Sequence, residues 1–198
     1  MKYFYHPAYC SLAPHIIMKE LGLEAEMIPV NLENHTLPDG SNYRDINPNG
    51  YVPALMTNEG EIITEGSVIL QYLANLKPEQ DMGALSYKDQ SLLAFVSSEL
   101  HKRFGSLFGA SNFSEDGLAF THQKLQSQFE YLNGILKNQE YLTGGSFGVI
   151  DAYVFTVMNW RNMLSVDISN HAELDAYLKR IAERESVVAA MTAEGLLG

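Results

Sequence analysis

The sequence has little cysteine and little positive charge. Its 198 residues include one cysteine, Cys10, so no disulfide can form within the chain. A lone thiol is typical of proteins from a reducing compartment. Thirteen lysines and arginines face 24 aspartates and glutamates, which gives a formal net charge of −11 at pH 7. Because an acidic surface repels phosphate groups, we expect neither nucleic acid nor an anionic membrane surface as a partner.

Long apolar runs are also missing. No stretch approaches the roughly 20 apolar residues that cross a bilayer. The first ten residues, MKYFYHPAYC, lack the apolar core of a signal peptide. These absences predict a cytoplasmic location. The remaining composition, 46% hydrophobic and 19% charged, is that of a globular chain that can build its own core.

The first 77 residues predict a small α/β domain. The aromatic residues at positions 3–5 predict a strand at the start of the domain. Apolar residues at helical spacing follow, and Gly22 is expected to end that helix. The proline at position 29 favours an edge strand. The predicted order is βαβαββα, with a weakly signalled second helix between residues 33 and 53. The clear elements are strands at 1–5, 27–32, 54–57 and 61–64, and helices at 12–21 and 68–76.

A polar segment, KPEQDMGA at residues 77–84, separates this domain from the rest. We therefore predict domains at 1–77 and 85–198. The second reads as helix throughout, because apolar residues recur at helical spacing. Four such stretches stand out: residues 92–108, 125–136, 149–163 and 174–181.

Cys10 is the first residue that suggests chemistry. It lies between the first strand and the first helix, and a thiol at a helix N-terminus is expected to have a lowered pKa. The alternative is a buried structural cysteine, and position alone leaves both open. Since the segment reads Cys10-Ser11-Leu12-Ala13, with no second cysteine, dithiol redox chemistry within the chain is excluded.

Two further motifs fall at the predicted sheet edge. Val52-Pro53 precedes a strand, where a cis bond would leave the Val52 backbone available to a peptide ligand. An ordinary strand-start proline is the alternative. Thr64-Glu65-Gly66-Ser67 precedes a helix whose N-terminus can hold a carboxylate, or it is a simple cap.

Together these motifs resemble the bacterial beta class of glutathione S-transferases. The resemblance covers nearly the whole chain, and it implies a thioredoxin-like N-terminal domain followed by a helical-bundle domain. The segments that carry it are YCSLAPH at 9–15, NPNGYVPAL at 47–55, TEGSVILQYL at 64–73, ELHK at 99–102, FGVIDAYVF at 147–155, AER at 182–184 and AEGL at 193–196.

The resemblance implies a role for individual residues. Cys10 would lie beside the glutathione sulfur and form a mixed disulfide with it, and His101 would face that sulfur. His35 stands where a lysine often reaches the glycyl carboxylate, which weakens the expected charge there. The remaining implied contacts are Val52 and a cis Pro53 with the cysteinyl backbone, Glu65, Gly66 and Ser67 with the γ-glutamyl end, Ser98 and Lys102 with the site or a partner subunit, and Tyr9, Phe104 and Phe108 with the second substrate.

The implied function is conjugation of glutathione, as co-substrate, to hydrophobic electrophiles in detoxification by a homodimer without metal. Thiol transfer, thiol reduction or dehalogenation are related possibilities. A non-catalytic binding protein of the same fold is the main alternative. A metal site from His6, Cys10 and His15 is a weaker one, because the spacing is loose and a fourth ligand is missing.

Overall fold

Two units make up the chain in the computed structural model, which describes residues 1–80, 82 and 85–197. The first comprises Met1–Ala84 and Arg184–Gly198, and the second comprises Leu85–Glu183. Part of the predicted domain boundary, residues 81, 83 and 84, lies outside the described residues, as does residue 198. In chain order the elements are β1 (Lys2–Tyr5), α1 (Leu12–Glu20), β2 (Glu26–Pro29), β3 (Ala54–Met56), β4 (Ile62–Thr64), α2 (Gly66–Asn75), α3 (Tyr87–Phe95), α4 (Lys102–Leu107), α5 (Glu115–Leu136), α6 (Val149–Asn159), α7 (Arg161–Leu164), α8 (Ala172–Ala182) and α9 (Glu185–Ala193).

The first unit is built on a mixed four-stranded sheet in the order β2-β1-β3-β4. Strand β1 runs parallel to β2 and antiparallel to β3, and β3 pairs with β4 as a hairpin. Pro29 is the last residue of the edge strand β2, and an edge position tolerates a proline because its nitrogen can face away from the sheet. Tyr43 and Val52 pack with the strand residues Phe4 and Ala54 in one buried cluster. This is the thioredoxin-like arrangement that the resemblance implies.

The weakly signalled second helix is not present as an α-helix. Residues 33–53 form a loop that contains a single turn of 3₁₀ helix, Tyr43–Asp45. The Asn42 side chain accepts a hydrogen bond from the Arg44 N–H, and Asn47 caps the next bend in the same way. Short side-chain to backbone bonds of this kind favour turns over helix, so the segment follows a turn-rich path.

Helix α9 belongs to the first unit although it lies near the end of the sequence. It packs on α1, and Val187 and Ala190 on it are fully buried. The Glu20 carboxylate on α1 accepts hydrogen bonds from the side chains of Arg184 and Ser186. The predicted second domain, 85–198, therefore includes a segment that the structure groups with the first unit.

The second unit is helical, as predicted. Between α3 and α4 the chain continues without a break through a π-helical turn, Val96–His101. Helix α6 is buried over nearly its whole length, and Asp151 in its first turn accepts hydrogen bonds from the Leu142 and Gly148 N–H groups and the Tyr177 hydroxyl. Gly148, at the N-cap, contributes no side-chain acceptor. Among the described residues, no helix is both long and apolar enough to cross a membrane.

Candidate functional site

The structure brings Cys10 and Val52 together. Helix α1 begins at Leu12, so Cys10 lies in the turn just before it. Its Sγ donates a hydrogen bond to the Val52 carbonyl oxygen, 3.1 Å away. The Val52–Pro53 bond is cis, as the resemblance implies, and β3 starts at the next residue. A thiol therefore lies at the point where a backbone carbonyl faces the end of the sheet.

The pKa of Cys10 differs from the sequence prediction. The pKa is raised from 9.0 to about 12, chiefly by burial, and the Glu65 carboxylate makes a smaller contribution in the same direction. The backbone N–H groups of Cys10 and Ser11 do lower it, as expected at a helix start. The prediction of a lowered pKa was wrong because desolvation of the thiolate outweighs these N–H groups. At neutral pH the thiol is a hydrogen-bond donor.

Backbone strain concentrates in the loops of the first unit. Ala8, His35 and Glu65 all have positive φ values, of 65°, 56° and 66°. Glu65 is also exposed, with ψ at 116°, and it is followed directly by α2. Non-glycine residues hold such conformations where the surrounding structure enforces them, often at ligand sites. The first N–H groups of α2, at Gly66 and Ser67, form the adjacent helix N-terminus, which suits a carboxylate.

The loop that leads to Val52 is fixed by two side chains. The Tyr43 hydroxyl and the Asn47 amide both donate to the Tyr51 carbonyl oxygen, at 2.8 and 2.7 Å. Burial raises the pKa of Tyr43 to about 12, so its hydroxyl keeps its proton. Gly50 has φ +71°, and a Cβ there would lie 2.8 Å from His35 Cε1. Glycine is thus required for the His35 ring to pack against this loop.

Glu194 anchors the turn that carries Cys10, and sequence reasoning assigned it no role. Its side chain is buried, with Oε1 2.9 Å from His15 Nδ1 and Oε2 accepting the Ala8 N–H at 3.1 Å. Two further hydrogen bonds hold the same turn: the Tyr3 hydroxyl donates to the Ser11 carbonyl oxygen, and the Ser11 hydroxyl donates to the His6 carbonyl oxygen. The one signal in the sequence at this position is the segment AEGL at residues 193–196, which is among those that carry the family resemblance.

The metal alternative gains no support from these partners. His6 Nδ1 lies 2.8 Å from the Val30 carbonyl, whereas His15 binds Glu194 and Cys10 binds the Val52 carbonyl. The three side chains are therefore engaged with three different groups. In the part of the chain that the structure describes, no three His, Cys, Asp or Glu side chains converge as metal ligands would.

His101 ends the π-helical turn of the second unit. Its Nδ1 lies 2.7 Å from the Tyr153 hydroxyl, and its ring packs edge-on against Trp160. Burial lowers the pKa of His101 to about 4, with a smaller contribution from the Lys102 charge, so the imidazole is neutral at pH 7. Ser98 and Lys102, on the same turn and the next, are exposed.

The aromatic residues predicted for the second substrate have different environments. Tyr9 and Phe108 are 47% and 55% exposed, and each contacts one further aromatic ring, of His6 and Trp160 respectively. Phe104 is fully buried and its ring packs on Phe129 of α5. Phe104 is therefore a core residue of the second unit, and its predicted place in a substrate pocket is corrected.

Comparison with known proteins fixes the family. Residues 9–76 match the family model for the glutathione S-transferase N-terminal domain, and residues 95–185 match that for the C-terminal domain. The glutathione S-transferase GstA of Escherichia coli O157:H7 is 36% identical over 201 residues, covering 99% of this chain and 100% of the relative. The chain belongs to the glutathione S-transferase family.

Solved structures of glutathione S-transferases superpose along the entire chain. A sphingomonad glutathione S-transferase complexed with glutathione is 34% identical, with a TM-score of 0.91 and 100% coverage of both chains. A bacterial beta-class glutathione S-transferase from Sphingomonas chungbukensis is 35% identical, with the same TM-score and coverage. The predicted likeness to the beta class and the predicted fold are confirmed, and the enzyme class is that of the glutathione transferases.

Proposed function

We propose that this glutathione S-transferase binds glutathione on the first unit and activates its thiol for attack on a hydrophobic electrophile. The observation that carries the proposal is the 3.1 Å hydrogen bond from Cys10 Sγ to the Val52 carbonyl. A ligand that pairs with the Val52 backbone would bring its own sulfur to this thiol.

The two ends of the proposed site suit the ends of glutathione. The cysteinyl part would pair with the backbone of Val52, next to Pro53, as an added strand pairs with a sheet edge. The γ-glutamyl end carries an ammonium and a carboxylate. The Glu65 carboxylate is a partner for the ammonium, and the N–H groups of Gly66 and Ser67 at the start of α2 are partners for the carboxylate.

Cys10 would act as a donor to the glutathione sulfur. Its pKa of about 12 keeps the thiol protonated at neutral pH, so the S–H can shift from the Val52 carbonyl to a bound thiolate. A preorganised donor lowers the pKa of that sulfur and stabilises the charge before attack. The sulfur then forms a bond to the electrophilic carbon while the leaving group departs with its electron pair. The glutathione proton goes to solvent.

The remaining predicted residues stay proposals. His101 would be a second donor, since its neutral ring is held through Nδ1 by Tyr153 and its Nε2 can serve a ligand. Ser98 and Lys102 would contact glutathione, and Tyr9 and Phe108 the electrophile. His35 would contact the glycyl carboxylate of glutathione. We also propose that the protein acts in the cytoplasm as a homodimer, which sedimentation velocity would test against the 22.1 kDa of one chain.

Two variants of Cys10 separate the donor role from covalent chemistry. Cys10→Ser keeps a donor that can reach the Val52 carbonyl, whereas Cys10→Ala removes it. We expect the alanine variant to lose about tenfold to a hundredfold in the rate of conjugation to an activated aryl halide, and the serine variant to keep most of it. Calorimetry with glutathione would confirm that both variants still bind.

The same samples test the alternatives. In a route through a Cys10 mixed disulfide, the Cys10 thiolate attacks glutathione disulfide and releases one glutathione thiolate. Equal loss of activity in both variants, with a glutathione adduct on wild-type Cys10 in the mass spectrum, would favour that route. Binding without turnover of any electrophile would support the non-catalytic alternative. An absence of binding by the wild type would overturn the proposal.

A further inference from the structure

We infer that the second substrate is a neutral apolar molecule with a hydroxyl group, and that His6 accepts the hydrogen bond of this hydroxyl in a cavity beside the Cys10 turn. The inference rests on the proposed function, because it names the class of electrophile that the glutathione sulfur would meet. It gives His6 a role in specificity, whereas the sequence suggested this histidine only as a metal ligand.

The cavity opens in the first unit, between the turn after β1 and the loop after β2, and has a volume of about 590 Å³. Small-molecule sites usually have volumes of roughly 300–1,000 Å³. Tyr9, the residue directly before Cys10, is exposed and lines the cavity. A ligand here would therefore lie next to the turn that carries the thiol. The apolar wall consists of Pro7, Pro29, Val30, Leu32, Leu37 and Pro38.

The wall on the side of β2 is held in place by its own hydrogen bonds. The Asn31 side chain accepts a hydrogen bond from the Glu33 N–H at 2.9 Å. The Asn31 backbone N–H donates to the Thr36 carbonyl oxygen at 3.0 Å. Because these bonds fix the loop in advance, a ligand has little chain to order when it binds.

His6 presents a hydrogen-bond acceptor to this cavity. Its Nδ1 lies 2.8 Å from the Val30 carbonyl oxygen. A carbonyl oxygen can only accept, so Nδ1 carries the proton of the neutral ring and Nε2 is the acceptor. None of the described residues forms a hydrogen bond with Nε2, and Nε2 is not among the buried unpaired atoms, so a ligand can reach it. The Tyr9 ring packs edge-on against the imidazole, with ring centres 4.5 Å apart, and so restricts its orientation.

The cavity favours a neutral ligand over an anion. No lysine or arginine is among the described residues that line it, whereas Glu33 contributes a carboxylate. Its three prolines have no N–H group, and most of the other backbone N–H groups along the wall are already paired. An anion would therefore be repelled by Glu33 and would find no cation. Glutathione, which has two carboxylates, is unsuited to this cavity, and a hydroxyl-bearing aromatic molecule suits both the acceptor and the apolar wall.

Three probes with the same ring system test this recognition. The first is 2-naphthol, which carries the hydroxyl; its methyl ether lacks the donor, and the corresponding naphthoate is an anion. Binding is followed by naphthalene fluorescence in mildly alkaline buffer, where an imidazole is neutral. We expect the wild type to bind naphthol about threefold to tenfold more tightly than the methyl ether, which is the usual effect of one hydrogen bond. Naphthoate should bind more weakly than either, and naphthoate binding as tight as that of naphthol would contradict the selection of a neutral ligand.

Two variants of His6 form a matched pair. In His6→Asn the amide nitrogen can take the place of Nδ1 and keep the bond to the Val30 carbonyl, but no acceptor remains at the position of Nε2. In His6→Gln the longer side chain can bring its amide oxygen to that position. We expect His6→Asn to bind naphthol and the methyl ether equally, and His6→Gln to keep the preference for naphthol. An unchanged preference in His6→Asn, or its loss in both variants, would contradict a hydrogen bond to Nε2.

Competition with S-hexylglutathione separates this inference from the proposed function. Its hexyl chain would occupy the place of the electrophile, so it should displace naphthol, whereas glutathione should not. If the protein binds glutathione but no naphthol, or binds naphthol and S-hexylglutathione together, the inference fails and the proposed function stands. If naphthol binds but neither glutathione nor S-hexylglutathione does, the proposed function fails, and the assignment of the cavity to the second substrate fails with it.

Discussion

Alkylation of Cys10 over a range of pH should reveal a thiol that stays protonated far above neutrality. With a pKa of about 12, the thiolate fraction near pH 7 is about one in 10⁵, against about one in 10² for a thiol at the ordinary value of 9.0. Because iodoacetamide reacts with the thiolate, the rate should be about a thousandfold below that of an ordinary thiol. It should also rise about tenfold per pH unit without a plateau up to about pH 10.

The assay is mass spectrometry of the alkylated protein, with the urea-unfolded chain as the reference thiol. Steric protection of Cys10 would lower the rate by the same factor at every pH and would still give a plateau near pH 9. The dependence on pH therefore separates a shifted pKa from poor access. Glu65→Gln should lower the pKa only modestly, since burial and not the Glu65 carboxylate is the main cause. A wild-type plateau at or below pH 9 would refute the reasoning.

Three further predictions concern stability. In the folded protein His101 has a pKa of about 4, whereas in the unfolded chain it takes up a proton near pH 6.5. The free energy of unfolding should therefore fall by roughly 3 kcal/mol as the pH drops from 6.5 to 4. His101→Gln should remove this pH dependence when unfolding by urea is measured across the same range. Glu194→Ala, which removes the buried acceptor for His15, should cost about 3–5 kcal/mol in urea unfolding, and a loss below about 1 kcal/mol would contradict a role as anchor. Gly148→Ser should raise the free energy of unfolding by about 0.5–1 kcal/mol, because it adds a side-chain acceptor at the N-cap of α6. There is room for the side chain, since the nearest atom to a Cβ there, Thr143 Oγ1, would be 3.9 Å away. A lowered melting temperature would mean that the serine hydroxyl does not cap the helix.

The regular elements of the fold were predictable because their signals are local. Apolar spacing marked α1 and α2, and the turn at residues 58–60 marked the hairpin of β3 and β4. The loop at 33–53 was less predictable. Its path depends on individual side chains such as Asn42 and Asn47 that bond to nearby backbone groups, and no periodic pattern reports such bonds.

The sequence predicted which motifs form the candidate site, but it did not predict the protonation state of the Cys10 thiol within that site. Cys10 and Val52 were expected to meet, and they do. The direction of the Cys10 pKa shift was missed because burial depends on the packed structure, whereas the helix start is visible in the sequence. Glu194 was missed because it contacts His15 across 179 residues.

The packing of α9 on α1 bears on how the protein is made. Residues 185–193 leave the ribosome after the whole second unit has been synthesised, yet Glu194 and α9 complete the interior around α1 and the Cys10 turn. The sheet can assemble early, because β1 to β4 are all near the N-terminus. The turn that carries Cys10 gains its buried hydrogen bonds to Glu194 only after α9 has been synthesised. During synthesis the first unit is thus the first to begin folding and the last to finish.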